Sequence, residues 1–278
     1  MSLAQSLHKK ALGKWGASRA LATQVRHFKN WPAVWSAYRV GRALPLFQLR
    51  NGLVLHHVPS DDPIFLFTEI FLQNCYFDPD FYTPRAGHTV LDIGANIGFF
   101  AIYLQSLAPG IHVHCFEPGE DARSRLEMNI KGNQLESLVS VYPVAVFDAE
   151  TTVELKEAAL SAHRSLFASP YVEVQRSASV TAVPLQRALE LAGTERVDLL
   201  KIDVEGAEIE IAEGAAAGCW EKIERVVVEY HDLLRPGCLE RVSQLLRSRG
   251  YRGIRSSETS PGLGLLRAQR QPFSANQQ

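Results

Sequence analysis

Asp92, Glu117, Asp203, Glu205 and His231 each stand at or just past the end of a short apolar run, where a side chain can hold a ligand or take a proton. The stretch Val90-Leu91-Asp92-Ile93-Gly94-Ala95-Asn96-Ile97-Gly98 reads as an apolar strand, an acid, a turn with two glycines and the start of a helix. Loops of this layout offer free helix N–H groups to an anion. Here the glycines run G-x-x-x-G without the dinucleotide fingerprint, and Asp92 puts a negative charge where a pyrophosphate would have to sit. A ligand with a positive end is therefore expected. The apolar run His112-Val113-His114-Cys115-Phe116 then delivers Glu117 about 20 residues further on, where dinucleotide-type folds place the acid that accepts ribose hydroxyl protons. Together these features describe an adenosine whose other end is cationic, and S-adenosylmethionine meets that description. The plain alternative is that Asp92 and Glu117 cap the helices that follow them.

A second cluster is Leu199-Leu200-Lys201-Ile202-Asp203-Val204-Glu205-Gly206-Ala207-Glu208. Strand side chains alternate, so Lys201 and Asp203 share a face. An unpaired buried ammonium costs about 3–5 kcal/mol, so Lys201 must find an anion, for which Asp203 and Glu229 are the candidates. Asp203, Glu205 and Glu208 gather at the start of a helix, as caps or as proton acceptors. The carboxylates could hold a magnesium-like ion, but no ligand spacing specifies one and no metal ligand is assigned. His231 follows a strand read over 225–229, on the same crest as Asp92, Glu117 and Asp203, where open α/β sheets bind their ligands. With an intrinsic pKa near neutrality, His231 is a candidate general base beside Asp203 and Glu205.

The elements that must position these residues follow from periodicity. Apolar spacing predicts helices within residues 1–45, and Asn51-Gly52 predicts a hairpin with a two-residue turn. Residues 65–77 are densely apolar, with Glu69 and Tyr76 expected to face the ligand loop. Beyond Glu117 the pattern predicts a helix over 121–132, a strand over 139–147, an irregular excursion over 155–179, an extra strand over 180–185, a helix over 186–192 and a principal strand over 197–204. A long helix over 239–249 and a closing hairpin around Pro261-Gly262 complete the chain. The uncharged run 93–116 contains Asn96, Gln105, Pro109 and Gly110, so it reads as loop, helix and strand and not as a membrane span.

The chain has 278 residues and is 46% hydrophobic, enough for one large α/β domain with an appendage. Its charge is divided: residues 1–60 hold nine Lys or Arg and no Asp or Glu, whereas the whole chain has a net charge of −1. Residues 1–60 thus read as a basic helical and hairpin extension and 61–278 as the main domain. The extension reads either as a solvated helical cap whose aromatics pack on the main domain or as a segment that meets an anionic membrane or an acidic partner. Four cysteines without C-x-x-C spacing fit a cytoplasmic setting, no secretion signal is expected, and nothing calls for a nucleic-acid partner.

With VLDIGANIG, FEP, KIDVEGAE and VEYHD in this order, the chain resembles the FkbM-type family of S-adenosylmethionine-dependent methyltransferases over roughly 69–267. The resemblance implies a doubly wound, mostly parallel, seven-stranded Rossmann-like sheet with an antiparallel last strand inserted at the closing hairpin. It implies that Asp92, Gly94, Asn96 and Gly98 line the methionine part of the cofactor, Glu117 the ribose and Ala145 the adenine, with Asp203 near the methyl group. The implied reaction is O-methylation of a sugar, glycolipid or polysaccharide, or polyketide-like hydroxyl. A nicotinamide-dependent oxidoreductase and a non-catalytic cofactor-binding scaffold are the competing readings.

Overall fold

The computed structural model describes residues 17–39, 44, 46–158, 164–167 and 174–273. Its strands, in chain order, are β1 (Leu46–Gln48), β2 (Val54–His56), β3 (Thr89–Ile93), β4 (His112–Phe116), β5 (Val139–Tyr142), β6 (Ala145–Phe147) and β7 (Thr151–Ala158). They continue as β8 (Arg164–Ser165), β9 (Val174–Pro184), β10 (Leu199–Ile202), β11 (Arg225–His231), β12 (Gly253–Ser260) and β13 (Leu263–Gln269). Seven form the main sheet in the order β12-β13-β11-β10-β3-β4-β5. Strands β5, β4, β3, β10 and β11 run parallel. β13 is antiparallel to both neighbours, as the resemblance implied.

Side-chain alternation explains how this sheet is covered on both faces. Val90, Leu199 and Val227 point into one apolar core with the helix Phe99–Leu107, while Leu91, Leu200 and Val226 point into a second core with the helices Leu185–Ala192, Glu208–Gly214 and Cys238–Ser248. The chain moves outward from β3 to β5 and returns on the other side of β3 at β10. That reversal opens a crevice at the C-terminal ends of β3 and β10, where this class of sheet binds its ligands.

Residues before the sheet join the first core. Phe28, just after the helix Ala17–His27, lies 4.7 Å from the Phe47 ring and 4.8 Å from the Phe67 ring. The free edge of β2 is met by two asparagines at the end of the helix Glu120–Gly132. Asn129 and Asn133 accept from the His56 and Val54 N–H groups and donate to the same residues' carbonyls, as a neighbouring strand would. Packing therefore runs unbroken across residue 60.

Three expectations change. The first hairpin has a three-residue loop: Leu49 donates to Leu53 at 2.8 Å, and Gly52 takes φ +98° to close the turn. The strand expected over 139–147 is two strands in different sheets, because Pro143 between them has no N–H to give a ladder. The stretch 155–179 is no irregular excursion where it is described. β7 and β9 pair antiparallel at the centre of a second sheet, β6-β9-β7-β8. The outer half of β9 faces water, so its polar sequence carries no apolar alternation to read. Cys75, Cys115, Cys219 and Cys238 are free thiols. No helix among the described residues is long and apolar enough to cross a membrane.

Candidate functional site

The floor of the crevice is built by two charged residues in facing apolar strands. Register places Lys201 of β10 directly beside Asp92 of β3. The Lys201 Nζ is 3.0 Å from Asp92 Oδ1 and 3.2 Å from Asp203 Oδ2, and it donates to the Gly94 carbonyl at 3.3 Å. Lys201 is 3% exposed and Asp92 0%. Burial pulls the lysine toward its neutral form, but Asp92 and Asp203 outweigh it and hold its pKa above the ordinary value. The expected free anion at Asp92 is thus already matched inside the protein. Asp203 is the lysine's partner as expected; Glu229 instead lies 3.0 Å from the Tyr76 hydroxyl.

A Cβ at either loop glycine would strike neighbouring protein. A Cβ on Gly94 (φ +80°) would lie 1.8 Å from the Asp203 carbonyl oxygen, and one on Gly98 (φ +82°) would lie 2.2 Å from Leu126 Cδ1. Only glycine lets the loops after β3 and β10 touch this closely. Between them Asn96, at φ +49°, donates its N–H to Glu117 Oε2 at 2.9 Å, while Gly119 N–H donates to Oε1 at 2.8 Å. These bonds fix the buried Glu117 carboxylate at the end of β4.

Opposite lies a line of three side chains. The buried Glu208, at the start of its helix, holds His231 Nδ1 at 2.7 Å, and His231 Nε2 lies 3.4 Å from Glu205 Oε2. Glu205 and Gly206 both have positive φ, +54° and +112°. For the non-glycine Glu205 that conformation stores strain of about 1–3 kcal/mol. The bonds that hold it are Ser165 Oγ to the Glu205 carbonyl at 2.5 Å and Arg235 to the Gly206 carbonyl at 3.0 Å. Burial pushes the Glu205 carboxyl up to about 8, against the pull of His231. Burial would lower His231, but Glu205 and Glu208 outweigh it and hold the imidazole well above its ordinary value. The near-neutral histidine expected at this position is therefore held as an imidazolium.

These groups surround a cavity of about 230 Å³. Gly94, Asn96, Glu117, Ala145, Asp203, Glu205 and His231 line it; Asp92 and Gly98 lie outside the lining, behind Lys201 and against Leu126. Glu69 also lines it, whereas Tyr76 reaches it through Asp203 and Glu229. Sequence reasoning did not see Glu208 as the partner of His231, since 23 residues separate them with no periodic relation. The Asp92 pairing did leave a signal: one lone charge in each of two apolar strands.

Asp203, Glu205 and His231 bring ligand atoms within 4.8 Å of one another, close enough for a cation. Lys201 and Tyr76 already engage the Asp203 carboxylate, however, and His231 Nε2 faces the Glu205 carboxylate. We read the trio as ion-paired and assign it no metal. The donor set does fit S-adenosylmethionine. Glu117 would hold the ribose, the buried Asn96 Oδ1, which has no hydrogen-bond partner among the described residues, would accept from the ligand, and Phe116, Ala145 and Val146 would flank the adenine. Besides Glu117, four carboxyl groups, on Glu69, Asp203, Glu205 and Glu229, line the cavity and match a positively charged ligand.

Known proteins share this fold. The family described as Methyltransferase FkbM domain matches residues 92–252, more than half of the chain and inside the wider 69–267 expected from the motifs. The 31-O-demethyl-FK506 methyltransferase FkbM of Streptomyces tacrolimicus is 28% identical over 230 residues, covering 73% of this chain and 87% of that one. Methyltransferase sdnD of Sordaria araneosa is 28% identical over 215 residues, covering 67% and 81%. A crystal structure of methyltransferase FkbM from Methylobacillus flagellatus matches with a TM-score of 0.52 at 17% identity, over 70% of this chain and 47% of that one. The present chain thus spans about half the length of that solved protein, and the likeness is one of fold. S-adenosylmethionine is the cofactor, and the chain belongs to the FkbM methyltransferase family.

Proposed function

We propose that this methyltransferase acts on a hydroxyl oxygen of a sugar, glycolipid or polysaccharide, or polyketide-like natural product, and that Glu205 takes the hydroxyl proton. The observation that carries the reading is the Glu208–His231–Glu205 line on the cavity wall. S-adenosylmethionine, when bound, supplies an electrophilic methyl group. An alcohol needs its proton removed as it attacks, by a base within hydrogen-bond reach. Glu205, raised to about 8, is in its ionised form a stronger base than an ordinary carboxylate. Glu208 fixes the imidazolium of His231, and that cation steadies the Glu205 carboxylate that must receive the proton. Asp203, engaged by Lys201 and Tyr76, is better suited to orienting than to accepting.

Oxygen as the acceptor atom is further supported by the Streptomyces relative, whose name specifies an O-linked position on its own substrate. The apolar side chains of Phe65, Leu66, Leu155, Leu166 and Leu263 line the same cavity and favour an acceptor with an apolar body beside its hydroxyl. Membership of a methyltransferase family removes the oxidoreductase reading. The test is incubation of the full chain with carbon-13 methyl-labelled S-adenosylmethionine and matched acceptors, alcohol and amine, on glycan and macrocyclic scaffolds. The label is expected as an O-methyl resonance in the alcohols. Label on nitrogen alone contradicts the proposal.

A further inference from the structure

Two carboxyl groups share one phenol hydrogen at Tyr76. The hydroxyl lies 3.1 Å from Asp203 Oδ2 and 3.0 Å from Glu229 Oε2, and a phenol O–H can donate to only one of them. The second contact needs a proton of its own. Lys201, 3.2 Å from Asp203 Oδ2, makes Asp203 the natural acceptor of the Tyr76 hydrogen. The extra proton then sits on Glu229, which donates to the Tyr76 oxygen. Glu69 lines the same cavity as Glu229.

The groups that face this pair are Lys201, Asp203 and Glu205 from β10 and the loop after it, His231 from β11, and Cys75 and Tyr76 from the segment before β3. Asp92, behind Lys201, adds a further acid. Burial raises Glu69 to about 7 and Glu229 well above its ordinary value, with Asp203 adding to both.

We propose that Glu69 and Glu229 form a proton-exchanging pair that reads the charge on the sulfur of the adenosyl ligand: a proton leaves the pair for solvent when the sulfonium form binds and stays when the neutral thioether binds. The proposal rests on the cavity being the S-adenosylmethionine site. Its consequence is that the protein prefers the donor over its demethylated product increasingly as pH rises.

Calorimetric titration of the full chain with S-adenosylmethionine and with S-adenosylhomocysteine, each in two buffers of different ionisation enthalpy, counts the protons. Both ligands carry the same ammonium and carboxylate, so the difference isolates the sulfonium. The donor is expected to release up to about one proton more than the product near neutral pH, and the donor-to-product affinity ratio to climb by up to about tenfold per pH unit. A folded Glu69→Gln/Glu229→Gln chain should lose the difference. Equal proton release by the two ligands in the wild type overturns the proposal and leaves the donor reading intact, as does a difference that persists in the double variant. Failure of both ligands to bind overturns the two together.

Discussion

Glu205→Gln is expected to lower kcat by about 100- to 10,000-fold, the usual contribution of a positioned base, with little change in affinity for S-adenosylmethionine. Glutamine keeps the volume and the contact with His231 but cannot take a proton. The wild-type pH profile carries the sharper signature. Burial raises the Glu205 carboxyl to about 8, and only its ionised form accepts the hydroxyl proton. The rate should therefore rise with pH through about 8 and level off above it. A limb at the ordinary histidine range is not expected, since Glu205 and Glu208 hold His231 protonated there. Glutamine at this position removes the limb. A variant with wild-type kcat and an unchanged profile would take Glu205 out of the chemistry.

Lys201→Met should cost about 3–5 kcal/mol of folding stability, because it leaves Asp92 fully buried with no counter-charge. Asp203 is partly exposed and keeps Tyr76, so most of the loss falls on Asp92. Removing the second charge separates the two contributions. In Lys201→Met/Asp92→Leu the apolar replacement should recover much of the loss, since a buried pair is often no more stable than well-packed apolar groups. Urea midpoints for the two variants measure this. A single variant within about 1 kcal/mol of wild type would mean that Asp92 is paired or neutralised some other way.

The parts of the site that were legible in sequence are those fixed by local alternation and chain order. Lys201 and Asp203 share a face because they are two apart where β10 runs out into its loop, and they meet. Asp92, Glu117, Asp203 and His231 stand at ends of parallel strands, so they reach one crest. What escaped depends on register between strands or on turns of the backbone. Asp92 finds Lys201 across 109 residues. Gly94 is required by the Asp203 carbonyl that presses on it, and nothing in a single loop reveals that neighbour. The second sheet was missed for a different reason: β7 and β9 are stabilised by their ladder while much of their surface faces water, so hydrophobic periodicity is silent there.

The central claim is that the crevice over β3, β4 and β10 holds S-adenosylmethionine with Glu117 on its ribose. Calorimetric titration of the full chain and of Glu117→Ala with S-adenosylmethionine and with NAD tests it most directly. The account predicts that S-adenosylmethionine binds the wild type, that NAD does not, and that Glu117→Ala weakens the binding by about 1.5–3 kcal/mol, the worth of hydrogen bonds to a charged group. NAD binding without S-adenosylmethionine binding, or an unchanged affinity in a folded Glu117→Ala chain, would contradict it.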